Sequence, residues 1–321
     1  GDMDAYRLQT QGRMLLDQRT EDGLRRAVTC FEQALDRDPA YALAWVGLAD
    51  ALALTVSYGY ADRSPSIDRA VEAAGRALEI DPGLGAAHAS LGLCHSLKTS
   101  GQRAEDDFLK AIELQPGYAD AHNWLSYYYL LTGRAAEALP RAKRAVELNP
   151  LSAEAVSNLL LAHLARGDFE RALAEARRTG ELSPGWSSAP FFTSLVLYEL
   201  GRFDEVRRLL DGLDVEWTGQ GAQATLALAH VGAGEHEAAR LVLAGIDAAP
   251  DPFAAGLVRL ALGEVDAAFE RFAAVTRLTD WPSLAVHHLY DRVWAPVRSD
   301  ARFDALMAVA YRSYELSPPR A

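Results

Sequence analysis

The chain has 321 residues, half of them hydrophobic, 24% charged and 9% aromatic, which excludes a disordered polymer and suffices for one large core or a core spread along a repeat array. A net charge of −12 and a pI near 5.2 repel phosphate backbones, and no Lys/Arg block offsets this, so nucleic acid is not an expected partner. No run of 18 apolar residues and no charged-then-apolar leader is present, so no membrane insertion and a cytoplasmic location are expected.

The opening Gly1-Asp2-Met3 lacks an initiator Met, as expected of a piece excised from a longer protein. From there the chain is punctuated by proline. Pro82, Pro116, Pro150 and Pro184 fall at steps of 34 residues, and Pro39 precedes Pro82 by 43. The flanks agree: ALDRDPAYALAW (34–45), ALEIDPGLGAAH (77–88), AIELQPGYADAH (111–122) and AVELNPLSAEAV (145–156) are variants of one line. Ala27, Ala70, Ala104, Ala138 and Ala172 stand twelve residues before the prolines, and Trp45, His88, His122, Val156 and Pro190 six after.

The predicted units follow in order, each a pair of helices ended by its proline, which cannot donate a hydrogen bond and restricts the residue before it. The first runs from Tyr6 to Tyr41. The second, 42–84, carries the insertion SYGYADRSP (57–65). Units 85–118, 119–152 and 153–186 follow, with Gly133 and Gly167 at their inner turns. The sixth, 187–217, keeps Gly201 and Phe203 but has Val206 where Ala is expected. Small residues Ala49, Gly92 and Ser126 are placed where paired backbones approach. EWTGQG (216–221) reads as a seam, dividing units one to six (1–216) from weaker units seven and eight and a C-terminal cap (217–321). Gly234 and Ala239 mark the seventh; Gly263, Ala268 and Phe272 the eighth. Asp300 is placed to cap a last helix carrying Phe303, Leu306 and Met307 on one side.

The pattern A-x3-F-x2-A-x4-P, complete as Ala27, Phe31, Ala34, Pro39 and as Ala104, Phe108, Ala111, Pro116, resembles the tetratricopeptide repeat. The resemblance implies an all-α, right-handed superhelical solenoid of antiparallel helix pairs, about eight repeats with a capping helix. The opening AYRLQTQGRMLLDQRT (5–20), the long second unit and the closing RSDARFDAL (298–306) resemble one bacterial group in which such an array follows a winged helix, a Ser/Thr kinase or a nucleotide cyclase. That implies a sensor or docking module of a regulatory protein.

Chemistry-bearing motifs are missing. There is no phosphate loop, G-x-S-x-G or H-E-x-x-H, and Gly232-Ala233-Gly234 lacks a third glycine and a preceding strand. No catalysis, cofactor or metal is expected. Cys30 and Cys94, 64 residues apart with no ligand spacing, read as buried thiols. His88 and His122 share one repeat position, and His95, His163 and His230 another. They read as packing imidazoles with one polar edge satisfied; a metal on His88, His95 and His122 lacks a completing carboxylate or thiolate. Glu105-Asp106-Asp107 reads as a solvated run favouring a helix N-terminus.

Binding is then the expected role. The resemblance implies that the first helices of the units line a concave groove. Its stripe gives Val46, Asp50 and Ala53 in unit two, Asp120, Asn123, Tyr127 and Leu130 in unit four, Ser157 and Leu161 in unit five, and Phe191, Leu195 and Tyr198 in unit six. These groove positions hold no Lys/Arg set, unlike the family members that clamp a peptide carboxylate. The aromatic run 119–133 divides: His122, Leu125, Ser126 and Tyr129 inward, Trp124 and Tyr128 on a flank, and Asn123, Tyr127 and Leu130 to the groove. The strip Asn123, Tyr127, Leu130, Ser157, Leu161, Phe191, Leu195 and Tyr198 suits a peptide or amphipathic helix of a protein partner. Alternatives stay open: a homodimer seam, filling by a terminal segment of the chain, or a small-molecule sensor near 57–65 or 216–221.

Overall fold

The computed structural model describes residues 2–98, 101–183, 188–211, 215–247, 252–274 and 291–313. Among the described residues every regular element is a helix and none is a strand. None of these helices is long and apolar enough to cross a membrane. The chain divides into two compact units, Gly1–Tyr128 and Tyr129–Ala321.

In the first unit the pairs are α1 (Met3–Leu16) with α2 (Glu21–Arg37), α3 (Ala42–Ser57) with α4 (Arg63–Ile80), and α5 (Gly85–Leu97) with α6 (Gly101–Leu114). The start of α7 (Ala119–Leu131) completes it. Each helix from α1 to α6 packs on the next, and the first helices form a second row, α1 on α3 and α3 on α5. Local chemistry sets the ends. Asp2 Oδ1 accepts the amides of Asp4 at 2.7 Å and Ala5 at 3.2 Å, and Thr20 Oγ1 accepts that of Gly23 at 3.1 Å, each satisfying donors that a helix start leaves free.

The core of this unit shows why small residues recur. The Phe31 ring is fully buried between Gly12 and Gly47, where an added Cβ would stand 2.7 Å and 2.3 Å from it. Gly92 meets Phe108 in the same way, at 2.6 Å, and Phe108 lies 6.3 Å from the Tyr128 ring. A ring on a second helix thus sits directly on a bare backbone of a first helix. Each buried phenylalanine contributes roughly 1.5–3 kcal/mol of apolar transfer.

In the second unit α8 (Ala135–Leu148), α9 (Ala153–Ala165), α10 (Phe169–Leu182), α11 (Ser188–Glu199), α12 (Phe203–Leu210), α13 (Val215–Gly232), α14 (His236–Asp247), α15 (Pro252–Ala261) and α16 (Val265–Ala273) also pack on one another in sequence. Again the first helices form a row: α9, α11, α13, α15. Gly133, Gly167 and Gly201 have φ of +74°, and Gly234 and Gly263 +80°, so the expected left-handed turns are present in five units. Ala239, Ala268 and Val206 are fully buried at their expected places. Residues 216–221, read as a seam, lie inside α13.

After residue 290 come the short α17 (Asp291–Trp294), a 3-10 turn Ala295–Val297 and α18 (Ala301–Ser313). Asp300 Oδ1 accepts the Arg302 amide at 2.8 Å, the cap expected from sequence. α17 packs on α15 and α18 on α16. The fully buried Trp294 closes this end, with ring centroids 5.3 Å from Phe272, 5.3 Å from Phe303 and 6.1 Å from Phe253.

Candidate functional site

The groove strip is not the open surface that its spacing suggests. Asn123 in the first unit is buried, and so are Leu130, Ser157, Leu161, Leu195 and Tyr198 in the second. Tyr127 and Phe191 are half-buried. The reason lies in the row of first helices. Residues three and four apart share a helix face, but neighbouring first helices pack side by side, so α11 is covered by α9 and α13. The spacing identifies a face; the closeness of the neighbours decides whether that face meets water.

The far end of α11 is covered from further along the chain. Glu199 is buried, its Oε1 accepts the Arg292 amide at 3.4 Å, and Arg292 Nη2 donates to the Glu199 carbonyl at 3.0 Å. Burial pushes the Glu199 carboxyl up to about 7, against the lowering effects of the Arg292 amide and charge and of Arg298. Burial, then Glu199, also raises the neighbouring Tyr198 phenol, whose ring lies 5.8 Å from Phe203. A segment near the C-terminus therefore lies against the end of α11.

In the first unit the stripe positions Asp50 and Asp120 meet a residue that the stripe did not include, Arg13 of α1. Arg13 Nη1 donates to Asp50 Oδ2 at 2.9 Å and Nη2 to Asp120 Oδ2 at 3.2 Å. Ser90 Oγ donates to the other Asp50 oxygen at 2.5 Å. The Asp50 side chain is 0% exposed, against 31% for Arg13 and 26% for Asp120. Burial raises Asp50 to about 6; Arg13 and Ser90 oppose that shift, Asp120 adds to it and Arg19 opposes it. Tyr118, half-buried and hydrogen-bonded with Asp120, is pushed well above the usual phenol range by burial, then by Asp120 and Asp50. Burial alone would lower Arg13, yet Tyr118, Asp50 and Asp120 hold it fully charged.

One clue to Arg13 was present. Gly12 stands 19 residues before Phe31, whereas Gly92 stands 16 before Phe108, although both glycines face the ring of their own pair. Three more residues separate glycine and ring in the first pair than in the third, which shifts α1 out of the 34-residue frame. Aligning Gly12 with Gly92 puts Arg13 in the groove position of Asp50's row.

Tetratricopeptide-repeat models match residues 16–83, 108–139 and 132–185. Over those residues, somewhat less than half of the chain, the sequence matches the tetratricopeptide repeat. No curated protein matches it significantly. Among solved structures, PilF of Pseudomonas aeruginosa aligns at 19% identity and TM-score 0.51, over 74% of this chain and 99% of that one. The APC/C hetero-tetramer Cut9–Hcn1 aligns at 13% identity and TM-score 0.62, over 80% of this chain and 48% of that one. At these identities the likeness is one of fold.

The 34-residue frame accounts for the histidines. At the position six after the proline, Trp45 Nε1 donates to the Pro39 carbonyl at 2.9 Å and His122 Nε2 lies 3.1 Å from that of Pro116. In these two units the side chain ties the first helix to the turn before it. At the second position the imidazoles meet carboxylates: His95 Nδ1 with Asp107 at 2.6 Å, His163 with Asp168 at 3.4 Å, His230 with Glu235 at 2.7 Å. Burial lowers His163 despite Asp168. Asp107 is thus turned inward, also 4.0 Å from His88, rather than solvated as its acidic run suggests. Among the described residues no group of three or more His, Cys, Asp or Glu is arranged to hold a metal.

Proposed function

We propose that this tetratricopeptide array is a protein-docking module of a bacterial regulatory protein, taking a partner segment on its first-helix side. Tetratricopeptide arrays generally mediate protein–protein interaction. The observation that carries the proposal is the start of α11. Phe191 and Phe192 lie 5.4 Å apart and both remain half-buried, on a helix whose later residues Leu195 and Tyr198 are buried. Ala189, Pro190 and Thr193 beside them are half-buried too. Partly covered aromatic rings on a rigid helix are typical interface anchors, and the patch fits the apolar face of a helix or extended peptide. The regulatory setting is supported by the resemblance of segments 5–20 and 298–306 to arrays that follow a winged helix, kinase or cyclase.

The test is a crosslinked pull-down from the source organism. Phe191→Ala with Phe192→Ala is expected to keep the helical circular dichroism and lose the captured partner. Leu241→Ala, an exposed control on α14, is expected to keep it. Undiminished capture by the double variant rejects this docking patch.

A further inference from the structure

We propose that the segment docking at Phe191 and Phe192 is cationic: an apolar-faced peptide or helix flanked by Lys and Arg. The inference rests on the docking reading above and names the chemistry of its partner.

Charge is partitioned between the two kinds of helix. α3, α5, α7, α9, α11 and α13 contain no Lys or Arg, although the chain has 32. Acids remain on them: Asp50, Asp120, Glu154 and Glu199. The second helices α8 and α10 carry three Lys or Arg each. Burial does not explain a difference of sign. It disfavours both charges, and the long stem of Lys or Arg reaches water from a partly covered site more easily than a short carboxylate does. Covered helices should therefore tolerate cations better than acids, yet cations are what they lack.

Among the described first helices only α1 and α15 carry arginine, and each arginine is engaged. On α1, Arg7 pairs with Asp4 at 3.1 Å, and Arg13 is shared by Asp50 at 2.9 Å and Asp120 at 3.2 Å, two carboxylates for one guanidinium. On α15, Arg259 is held by Glu264 at 3.1 Å and by Asp247. At the end of α11, Arg292 donates to the Glu199 carbonyl at 3.0 Å.

The patch itself lies among apolar and acidic neighbours. α9 packs beside α11, and half-buried Glu154 stands in the first turn of α9 as half-buried Phe191 and Phe192 stand near the start of α11. A surface of one sign attracts the opposite charge and repels its own, so a partner's Lys or Arg is favoured here over Asp or Glu. The rings act in the same direction. Aromatic faces attract cations, and this chain already uses that contact: Arg134 lies 4.3 Å from the Tyr129 ring centroid and Arg302 4.4 Å from that of Phe269. The Phe191 and Phe192 rings, 5.4 Å apart, offer it to a partner's arginine.

Selection from a random peptide library tests this, with the whole chain as bait and the Phe191→Ala, Phe192→Ala variant for counter-selection. Selected peptides are expected to be net positive and rich in large apolar residues. Their affinity is expected to fall roughly tenfold in the double variant and to fall as salt is raised. Glu154→Lys is expected to weaken them about fivefold at low ionic strength, and Leu241→Ala to leave them unchanged. Selected peptides that need Phe191 and Phe192 but are neutral or acidic overturn the cationic partner and leave the docking patch standing. Peptides bound equally by the double variant, or none selected at all, reject the patch and this inference with it. If the double variant does not fold, undiminished affinity for Glu154→Lys overturns the inference.

Discussion

At the scale of single residues, the two buried acids carry the sharpest consequences. Asp50 and Glu199 lie in different units, and each takes an arginine from a terminal segment of the chain. Burial raises both carboxyls, so both favour the folded state when protonated. For Glu199 the stability contribution is complete below about 4 and is lost as pH rises through 7. The loss by pH 8 is on the order of 3 kcal/mol. Glu199→Gln stays neutral and keeps an acceptor for the Arg292 amide. It is expected to remove most of the decline in urea midpoint between pH 5 and 8. An equal decline in the variant rules out Glu199 as its source.

At the scale of the helix, close approach is bought by glycine under a ring. Phe31 is held between Gly12 and Gly47, so it has no free side to retreat toward. Gly47→Ala is expected to cost about 1–3 kcal/mol, because overpacking forces a backbone shift between α2 and α3. Urea denaturation reads this directly, and a neutral result would mean that the ring can tilt away. At this scale the sequence was readily interpreted. Gly133, Gly167 and Gly201 turn left-handed as their spacing requires, and Asp300 caps α18. EWTGQG, read as a seam before the weaker units, lies within α13, since a helix tolerates glycine at modest cost. The acidic run at 105–107 was also divided by packing, with Asp107 drawn in by His95.

At the scale of the whole molecule, the two compact units are expected to respond separately to local damage. Trp294 is fully buried against Phe253, Phe272 and Phe303 at the C-terminal end of the second. Trp294→Ala is expected to cost that unit about 3–5 kcal/mol. Hydrogen exchange is expected to quicken in α15 and α16 while α2 to α5 stay unchanged. Uniform quickening would show that the units fold as one.

The repeat, its helix pairs, their turns and the cap were determined locally, by residues whose backbone preferences act over a few positions: proline ends a helix, glycine turns left-handed, alanine and glycine admit a close neighbour. What only the tertiary structure decided was exposure. Asn123, Leu130, Ser157, Leu161, Leu195 and Tyr198 are all buried, the last two on a helix, α11, that packs against both α9 and α13. Arg13 reaches Asp120 across 107 residues. Its fork closes on two carboxylates because the row curves, and curvature is the sum of many small packing angles that no single repeat encodes.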